Sequence, residues 1–566
     1  MVSKVFLLNY NKLFFLLFIS LCCVLDKNIA NATNNYTRSY FGSILSGQIA
    51  NYNNDSALSA SFFNHANKIN PKNTQIYNLA LMSLVMSGNV EEAIIKINNY
   101  EKSLGKQYNK SVITNFISFI KKVKNNDIEQ ALEHLNNSQE FLITDSMKPI
   151  LRGWLLKDLS DATKALDEYE YKSEGLALAN IYFHHLALIQ NYHNKKDLSR
   201  KTFEKHLEVF DLDKLRSLYF YESLFNKGKK NNKYISFFNE KYPDHSFTSY
   251  LKNTKKLPKN IISPSQGISE AIYNLAKTLY SQNMNETSLA LAQTALYLDP
   301  ENHIVKYLIS LNLDGLRKKE LALEYLKKIP VGSYVSWNAH INIAELYMDL
   351  ENYDSAADFL HKLKKNNPQK IEVLYKLGEL YHVQKKYDYA IKYFSDAITS
   401  LKKADNRFWY LFYSRGMSYE RSMKWELAEK DLLYALELSP DQPLTLNYLG
   451  YSWIDLGKNI DEAHKLITKA VKLRPNDGYF VDSLGWAYYR MGEYKKAVVE
   501  LEKAVGLVPN DPIINDHLGD AMWRAGYKNE AVYQWNRALI YKPDNELENK
   551  IKFKLKKGLQ KSFELF

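Results

Sequence analysis

Cysteine is almost missing from this chain: its two copies, Cys22 and Cys23, stand side by side near the N-terminus. If that stretch is a removed leader, the rest has no disulfide, thiol nucleophile or cysteine-type zinc site. The short patterns that mark chemistry are missing too. There is no zincin helix, phosphate-binding loop, nucleophile elbow or Gly-rich dinucleotide turn behind a strand. His184, His185 and His193 are the densest histidines, and the adjacent pair points to different sides of a helix. They read as packing or surface residues and not as metal ligands. The expectation is a chain that is not an enzyme, with no metal, cofactor or small-molecule substrate. A net charge of +12 is spread through Lys-rich helix surfaces. No basic stripe joins a nucleic-acid motif, so nucleic acid is not an expected partner. Beyond the N-terminal stretch, no apolar run approaches the roughly 20 residues that span a bilayer.

The N-terminal stretch has the parts of an export signal. Lys4 and Lys12 supply the positive region, Leu13 to Leu25 the apolar one, and Ala30-Asn31-Ala32 a small–x–small cleavage site. Cleavage between Ala32 and Thr33 is expected. Two other readings stay open. An uncleaved anchor would recruit Val5 to Tyr10 as well. A lipidated cysteine would need a small residue before it, where Leu21 precedes Cys22.

What the chain has in quantity is a repeated pattern, clearest over 446–543. Its anchors read Leu449-Gly450…Trp453…Ala463…Ala470…Pro475, then Leu484-Gly485…Tyr488…Ala497…Leu501…Ala504…Pro509. A third copy reads Leu518-Gly519…Met522…Ala531…Trp535…Ala538…Pro543, offset from the second by 34 residues. Glycine on the first helix leaves a bare spot for a neighbour, small alanines do the same from the second helix, and proline stops it. Period and residue types are those of the tetratricopeptide repeat (TPR), a helix–turn–helix unit. One hairpin cannot bury its own apolar face, so units stack into a superhelix.

The expected fold class is therefore all-α: a superhelical solenoid of such repeats, degenerate in its N-terminal half and capped by a C-terminal helix. The expected divisions are a signal peptide over 1–32 and degenerate repeat-like hairpins, about six, over 33–249. A linker over 250–268 is read from Pro258, Pro264 and Gly267. About eight repeats follow over 269–545, and a capping helix over 546–566. In the first hairpin Ser59 stands in for the usual alanine. The alternation of lysine with apolar residues from Leu547 also suits a basic helix on a membrane surface, so membrane contact is expected only there or at the leader.

In TPR arrays the first helices line the concave face, and side chains between the packing anchors project into it. That register selects Asn447, Tyr451 and Asp455 in the first copy, and Asp482, Trp486, Tyr489 and Arg490 in the second. It selects Asp516, Asp520, Trp523 and Arg524 in the third, while the preceding unit adds Tyr413, Met417, Glu420 and Arg421. Aromatic rings supply rigid contact area and arginine a planar fork, a combination suited to gripping a chain. The competing reading makes Asp482, Arg490, Asp516 and Arg524 structural ion pairs between adjacent repeats. The N-terminal half is expected to hold a second partner.

The run Leu446-Asn447-Tyr448-Leu449-Gly450-Tyr451-Ser452-Trp453 and its counterparts beginning at Val481 and Asn515 resemble a proteobacterial family of envelope TPR proteins. The resemblance implies export, a divergent N-terminal half and protein or peptide partners in the envelope. Some such relatives are lipoprotein adaptors of carboxyl-terminal processing proteases acting on peptidoglycan hydrolases.

Overall fold

The structure, a computed structural model, describes residues 39–104, 111–138, 142–143, 145–167, 176–208, 214–226, 233–241, 261–366 and 370–559. The expected cleavage site at Ala32 and Thr33 and most of the expected linker lie outside these residues. The described residues form 29 α-helices and no strand. The chain is an all-α TPR-like solenoid, as its periodicity predicted. It divides into two compact units, Met1–Ala339 and His340–Phe566.

In the first unit the helices pair in sequence. The first pairs are α1 (Tyr40–Tyr52) with α2 (Ser56–Ile69), α3 (Thr74–Met86) with α4 (Val90–Leu104), and α5 (Val112–Lys124) with α6 (Ile128–Asn137). Then come α7 (Lys148–Leu155) with α8 (Leu159–Asp167), α9 (Leu176–Tyr192) with α10 (Lys196–Leu207), and α11 (Leu215–Tyr221) with α12 (Lys233–Lys241). Two more pairs are α13 (Pro264–Ser281) with α14 (Asn285–Leu298), and α15 (His303–Gly315) with α16 (Lys319–Lys327).

The eroded signature has a common physical origin. Ser59, Ser199 and Ser288 each occupy the small anchor of a second helix. Each donates its hydroxyl to a first-helix carbonyl twelve residues back, on Gly47, Ala187 and Ala276, at 2.7–3.1 Å. A buried serine would otherwise leave a polar atom unpaired. This bond makes it equivalent to alanine in packing while erasing the alanine from the pattern.

The expected linker reaches too far. Ser263 caps α13, its Oγ accepting from Gln266 N, and Pro264 occupies the first turn, where its missing N–H is no loss. Gly267 is a packing residue: a Cβ there would stand 2.2 Å from the Trp154 indole. Proline, serine and glycine together imitate a loop, yet their order is that of a helix start.

The α13–α14 hairpin is buried almost all round; Gly267 to Tyr273 and Ser288 to Ala295 are continuously buried. Helices of that kind belong to the centre of a fold. Here α14 packs against α3, α4 and α5, and α13 against α5, α7 and α9. Lys124 donates to the last-turn carbonyls of Tyr297 and Leu298, and Tyr297 donates to Glu91. Glu270 of α13 accepts a two-pronged bond from Arg216, at 2.8 and 2.6 Å, in a nest of Tyr219, Phe220, Tyr273 and Tyr334. His184 and His185 are core residues, bonded to Ser217 and Glu270 and to Trp154 and Asn274 respectively. The inner first helices of this unit are thus occupied by the chain itself.

The second unit holds most of α17 (Ser336–Asp349) and all of α18 (Tyr353–Asn366), α19 (Ile371–Val383) and α20 (Tyr387–Thr399), and α21 (Trp409–Arg421) and α22 (Trp425–Leu438). It continues with α23 (Pro443–Asp455) and α24 (Ile460–Leu473), α25 (Gly478–Arg490) and α26 (Tyr494–Leu507), and α27 (Pro512–Ala525) and α28 (Lys528–Ile540). The anchors do what their spacing predicts. A Cβ on Gly450, Gly485 or Gly519 would meet Ile467, Leu501 or Trp535 at 2.5–2.7 Å. Ala463, Ala497 and Ala531 are fully buried. The last helix, α29 (Asn545–Lys557), buries Ile551 against α27 and α28, with Leu547, Leu555 and Leu559 around it. Its apolar face is spent on packing.

Candidate partner-binding face

Successive first helices of the second unit touch through side chains about one repeat apart. Tyr375 packs on Tyr410 and Tyr413 on Tyr448, whose hydroxyl donates to Glu420. The ladder ends in ions. Asp482 of α25 accepts from His517 Nδ1 of α27 at 2.9 Å, and Lys554 of α29 donates to Asp516 and Asp520 of α27 at 2.7–2.9 Å. All five side chains are buried.

Asp482, Asp516 and Asp520 are therefore inter-helix ties. They are ionic ties as the competing reading held, but with His517 and Lys554 as partners in place of Arg490 and Arg524. Burial first, then neighbouring Asp516, pushes the Asp520 carboxyl up to about 6, against the pull of Lys554. Asp520 also accepts from Trp535 Nε1. His517, though buried, is held above the usual imidazole range by the Asp482 carboxylate.

The two tryptophans chosen for gripping a ligand are largely spent on packing as well. Trp486 lies flat against His517, with centroids 4.2 Å apart, and against Tyr489 at 4.6 Å. Trp523 packs on Trp535, under Lys528 and beneath the backbone of Gly558. Arg524 adjoins the Tyr489 hydroxyl, which burial raises to about 12. No alignment position reveals this, because the groups that cover the third copy come from α29, which lacks the repeat signature.

The remaining positions gather on α21, α23 and α25. Tyr451 of α23 is half-buried, and its hydroxyl makes no hydrogen bond. It lies within the electrostatic reach of Asp482, Asp455, Arg490 and Arg421, and burial pushes it well above the usual phenol range. Asn447 Oδ1 and Trp486 Nε1 are buried without partners. Arg490 contacts the Asp455 carbonyl at 3.2 Å and its carboxylate at 4.0 Å, where Asp455 is exposed. Arg421 and Met417 border the same face, with Arg421 against Glu420. Asn447 stands one repeat before Asp482, and Tyr451 one repeat before Trp486. At these positions the ladder is closed on α25 and α27 and open on α23. Among the described residues no cluster of histidine, cysteine or acid could hold a metal, and no helix is long and apolar enough to cross a membrane.

Family profiles agree with this geometry. One described as a tetratricopeptide repeat matches residues 335–405, and one described as a TPR repeat matches 485–526. Over these two stretches the chain matches tetratricopeptide repeats. A TPR repeat-containing protein of Pseudomonas aeruginosa is 40% identical over 87 residues, which is 15% of each chain. Among solved structures, the Cut9–Hcn1 hetero-tetramer of the APC/C aligns over 92% of this chain and 96% of that one, at 16% identity and a TM-score of 0.39. YrrB, a TPR protein with an unusual peptide-binding site, aligns over 34% of this chain and 92% of that one, at 22% identity and a TM-score of 0.25. TPR repeats are protein-interaction scaffolds that bind protein or peptide partners, and no catalytic family is indicated.

Proposed function

We propose that this protein is a non-enzymatic adaptor of the bacterial envelope that captures an extended protein segment along α21, α23 and α25. The observation that carries the reading is the open rung at α23. Tyr451 presents an unbonded hydroxyl amid two arginines and two carboxylates, flanked by the orphaned Asn447 Oδ1 and Trp486 Nε1. A buried polar atom without a partner is costly, and a peptide backbone supplies both donors and acceptors. The export signal read at Ala30-Asn31-Ala32 supports an envelope location. The resemblance of 446–524 to envelope adaptors supports a periplasmic protease or cell-wall enzyme as the partner.

A photo-crosslinking residue at Tyr451 should capture a defined envelope protein, and Arg490→Ala should abolish that adduct. Crosslinking at Tyr533, exposed on a second helix, serves as the control. The same adducts from both positions would overturn the face assignment. Sequencing the N-terminus of the mature protein tests export: Thr33 as first residue is expected, and a retained leader would favour a membrane-anchored assembly factor instead.

A further inference from the structure

A polar cleft of about 500 Å³ lies between the second helices α2 and α4 of the first unit. It adjoins a hollow of about 380 Å³ that shares Asn64, Lys68 and Glu92. Small-molecule sites of this size are mostly lined by apolar and aromatic side chains. Here most of the lining residues carry a carboxamide or a charge: Asn64, Asn67 and Lys68 on α2, and Glu92, Lys96 and Asn99 on α4.

Several of these polar groups have no partner within the protein. Asn67 is 5% exposed, and its Nδ2 makes no hydrogen bond; Asn64 Oδ1 is likewise buried and unpaired. A buried polar atom left unpaired is costly. Later hairpins complete the position of Asn64. Asn98 and Asn136 stand five residues after their anchors Ala93 and Ala131, as Asn64 stands five after Ser59. Their side-chain oxygens accept from Lys121 and Arg152 on the following helices. Lys121 lies ten residues after the N-cap of α5; ten after the N-cap of α3 stands Ser83, which is bonded to Ser59. The charges are unmatched as well. Lys96 hydrogen-bonds only to the neutral Asn67 Oδ1, at 2.7 Å, and lies over the Tyr77 ring. Lys68 has no hydrogen-bond or ion-pair partner among the described residues. Burial first, then Lys68, brings Lys96 down to about 8, with Glu92 opposing.

We infer that this cleft binds an acidic oligosaccharide. A sugar hydroxyl both donates and accepts, so neighbouring hydroxyls satisfy Asn67 Nδ2 and Asn64 Oδ1 together. The acid group of the sugar lies between Lys68 and Lys96, where two ammonium groups against the Glu92 carboxylate leave one positive charge. The C–H face of the ring rests on Pro71 and the exposed Ile95. The adjoining hollow, lined in part by Ser61 and Asn89, takes the next ring. The polar lining gives a peptide no large apolar pocket in which to anchor a side chain, and that decides for the saccharide. The site is independent of what α23 holds.

The test applies the full chain to an array of uronate oligosaccharides, each paired with its neutral counterpart, and measures affinities by calorimetric titration. At least one uronate should bind, and its neutral counterpart at least 10-fold more weakly. Lys68→Met, on an exposed side chain, should weaken the uronate at least 10-fold. Asn64→Leu should weaken it by as much without lowering the melting temperature, because no group of the protein uses that oxygen. N-acetyl-Ala-Ala, a peptide that carries one carboxylate, should not compete. Binding of none of the uronates, equal binding of uronate and neutral sugar, competition by the peptide, or full affinity in folded Lys68→Met and Asn64→Leu variants would each overturn the proposal.

Discussion

In the first unit, the first helices α3, α5, α7 and α9 pack onto α13 and α14, which the same chain supplies. In the second, α23 contacts α25 and α25 contacts α27, one step along the array each time. The same hairpin thus serves two ends. Where its inner face is filled, the Leu-Gly and alanine anchors give way to a continuous core, with Trp154 over Gly267 and Arg216 on Glu270. Where it is not filled, the anchors persist and the residues between them pair along the array, closed on α25 and α27 and open at Tyr451 of α23. The lesson is that a weak signature in a repeat array can report burial of the groove as well as decay of the repeat.

The largest effect that separates the units is expected from their buried ions. Arg216→Met leaves Glu270 buried without its counter-charge, and loss of one partner of such a pair costs about 3–5 kcal/mol. Denaturant unfolding should show that loss, and Arg216→Met combined with Glu270→Gln should recover most of it. A loss below about 1 kcal/mol would mean that α13 is not held as a keystone, and the contrast between the units would weaken.

Acidity probes the other unit. Both His517 and Asp520 have folded pKa values above their ordinary ones. For His517, the stabilisation is complete below the unfolded value near 6.5 and is lost as pH rises through the folded value. For Asp520, the folded state binds a proton more tightly from about pH 4 up to about 6, so stability again declines as pH rises across that window. The two act in the same direction. Lowering pH from 8 to 6 should raise the melting temperature by roughly 2–4 °C for each kcal/mol regained. Asp482→Asn should flatten the His517 part of that profile, and an unchanged slope in this variant would remove the Asp482–His517 pair as its source.

How much of this was legible in the sequence follows from where each contact originates. The anchors Gly485, Leu501 and Ala497 lie within one hairpin, so their spacing alone revealed the packing. Ser199 under Ala187 also lies within one hairpin, but the substitution of both partners hid it until the hydroxyl–carbonyl bond was visible. The open face was half legible: register placed Tyr451, Trp486 and Asp516 on first helices. It could not reveal that His517 would lie flat on Trp486, or that Lys554 would reach back to Asp516 from a helix outside the pattern. Filling of the first unit by α13 and α14 was illegible, since it joins residues such as Lys124 and Tyr297 that no local spacing connects.

A smaller expected change tests the open rung itself. Tyr451→Ala with Arg490→Ala should lower partner affinity at least 10-fold, about 1.4 kcal/mol. The hydroxyl of Tyr451 supports no contact within the protein, so folding should change less than binding. A thermal melt alongside the binding measurement separates the two. A large loss of stability with unchanged binding would show that α23 is closed by packing, as α25 and α27 are.

The smallest effect concerns the hairpin turns of the second unit, each of which holds a left-handed residue. In the last three repeats it is glycine, at Gly457, Gly492 and Gly526; at the preceding one it is Met423, with φ 61° and 92% exposed. A left-handed backbone costs a side-chain-bearing residue roughly 1–2 kcal/mol, while glycine costs about 0.5–1 in chain entropy. Met423→Gly should therefore stabilise the second unit by up to about 1 kcal/mol, and Gly492→Met should destabilise it by a similar amount. Urea midpoints should move in opposite directions with unchanged slopes. If both fell, the Met423 side chain would be contributing contacts that its exposure denies, and the turn would not be the interchangeable element that the repeat period makes it.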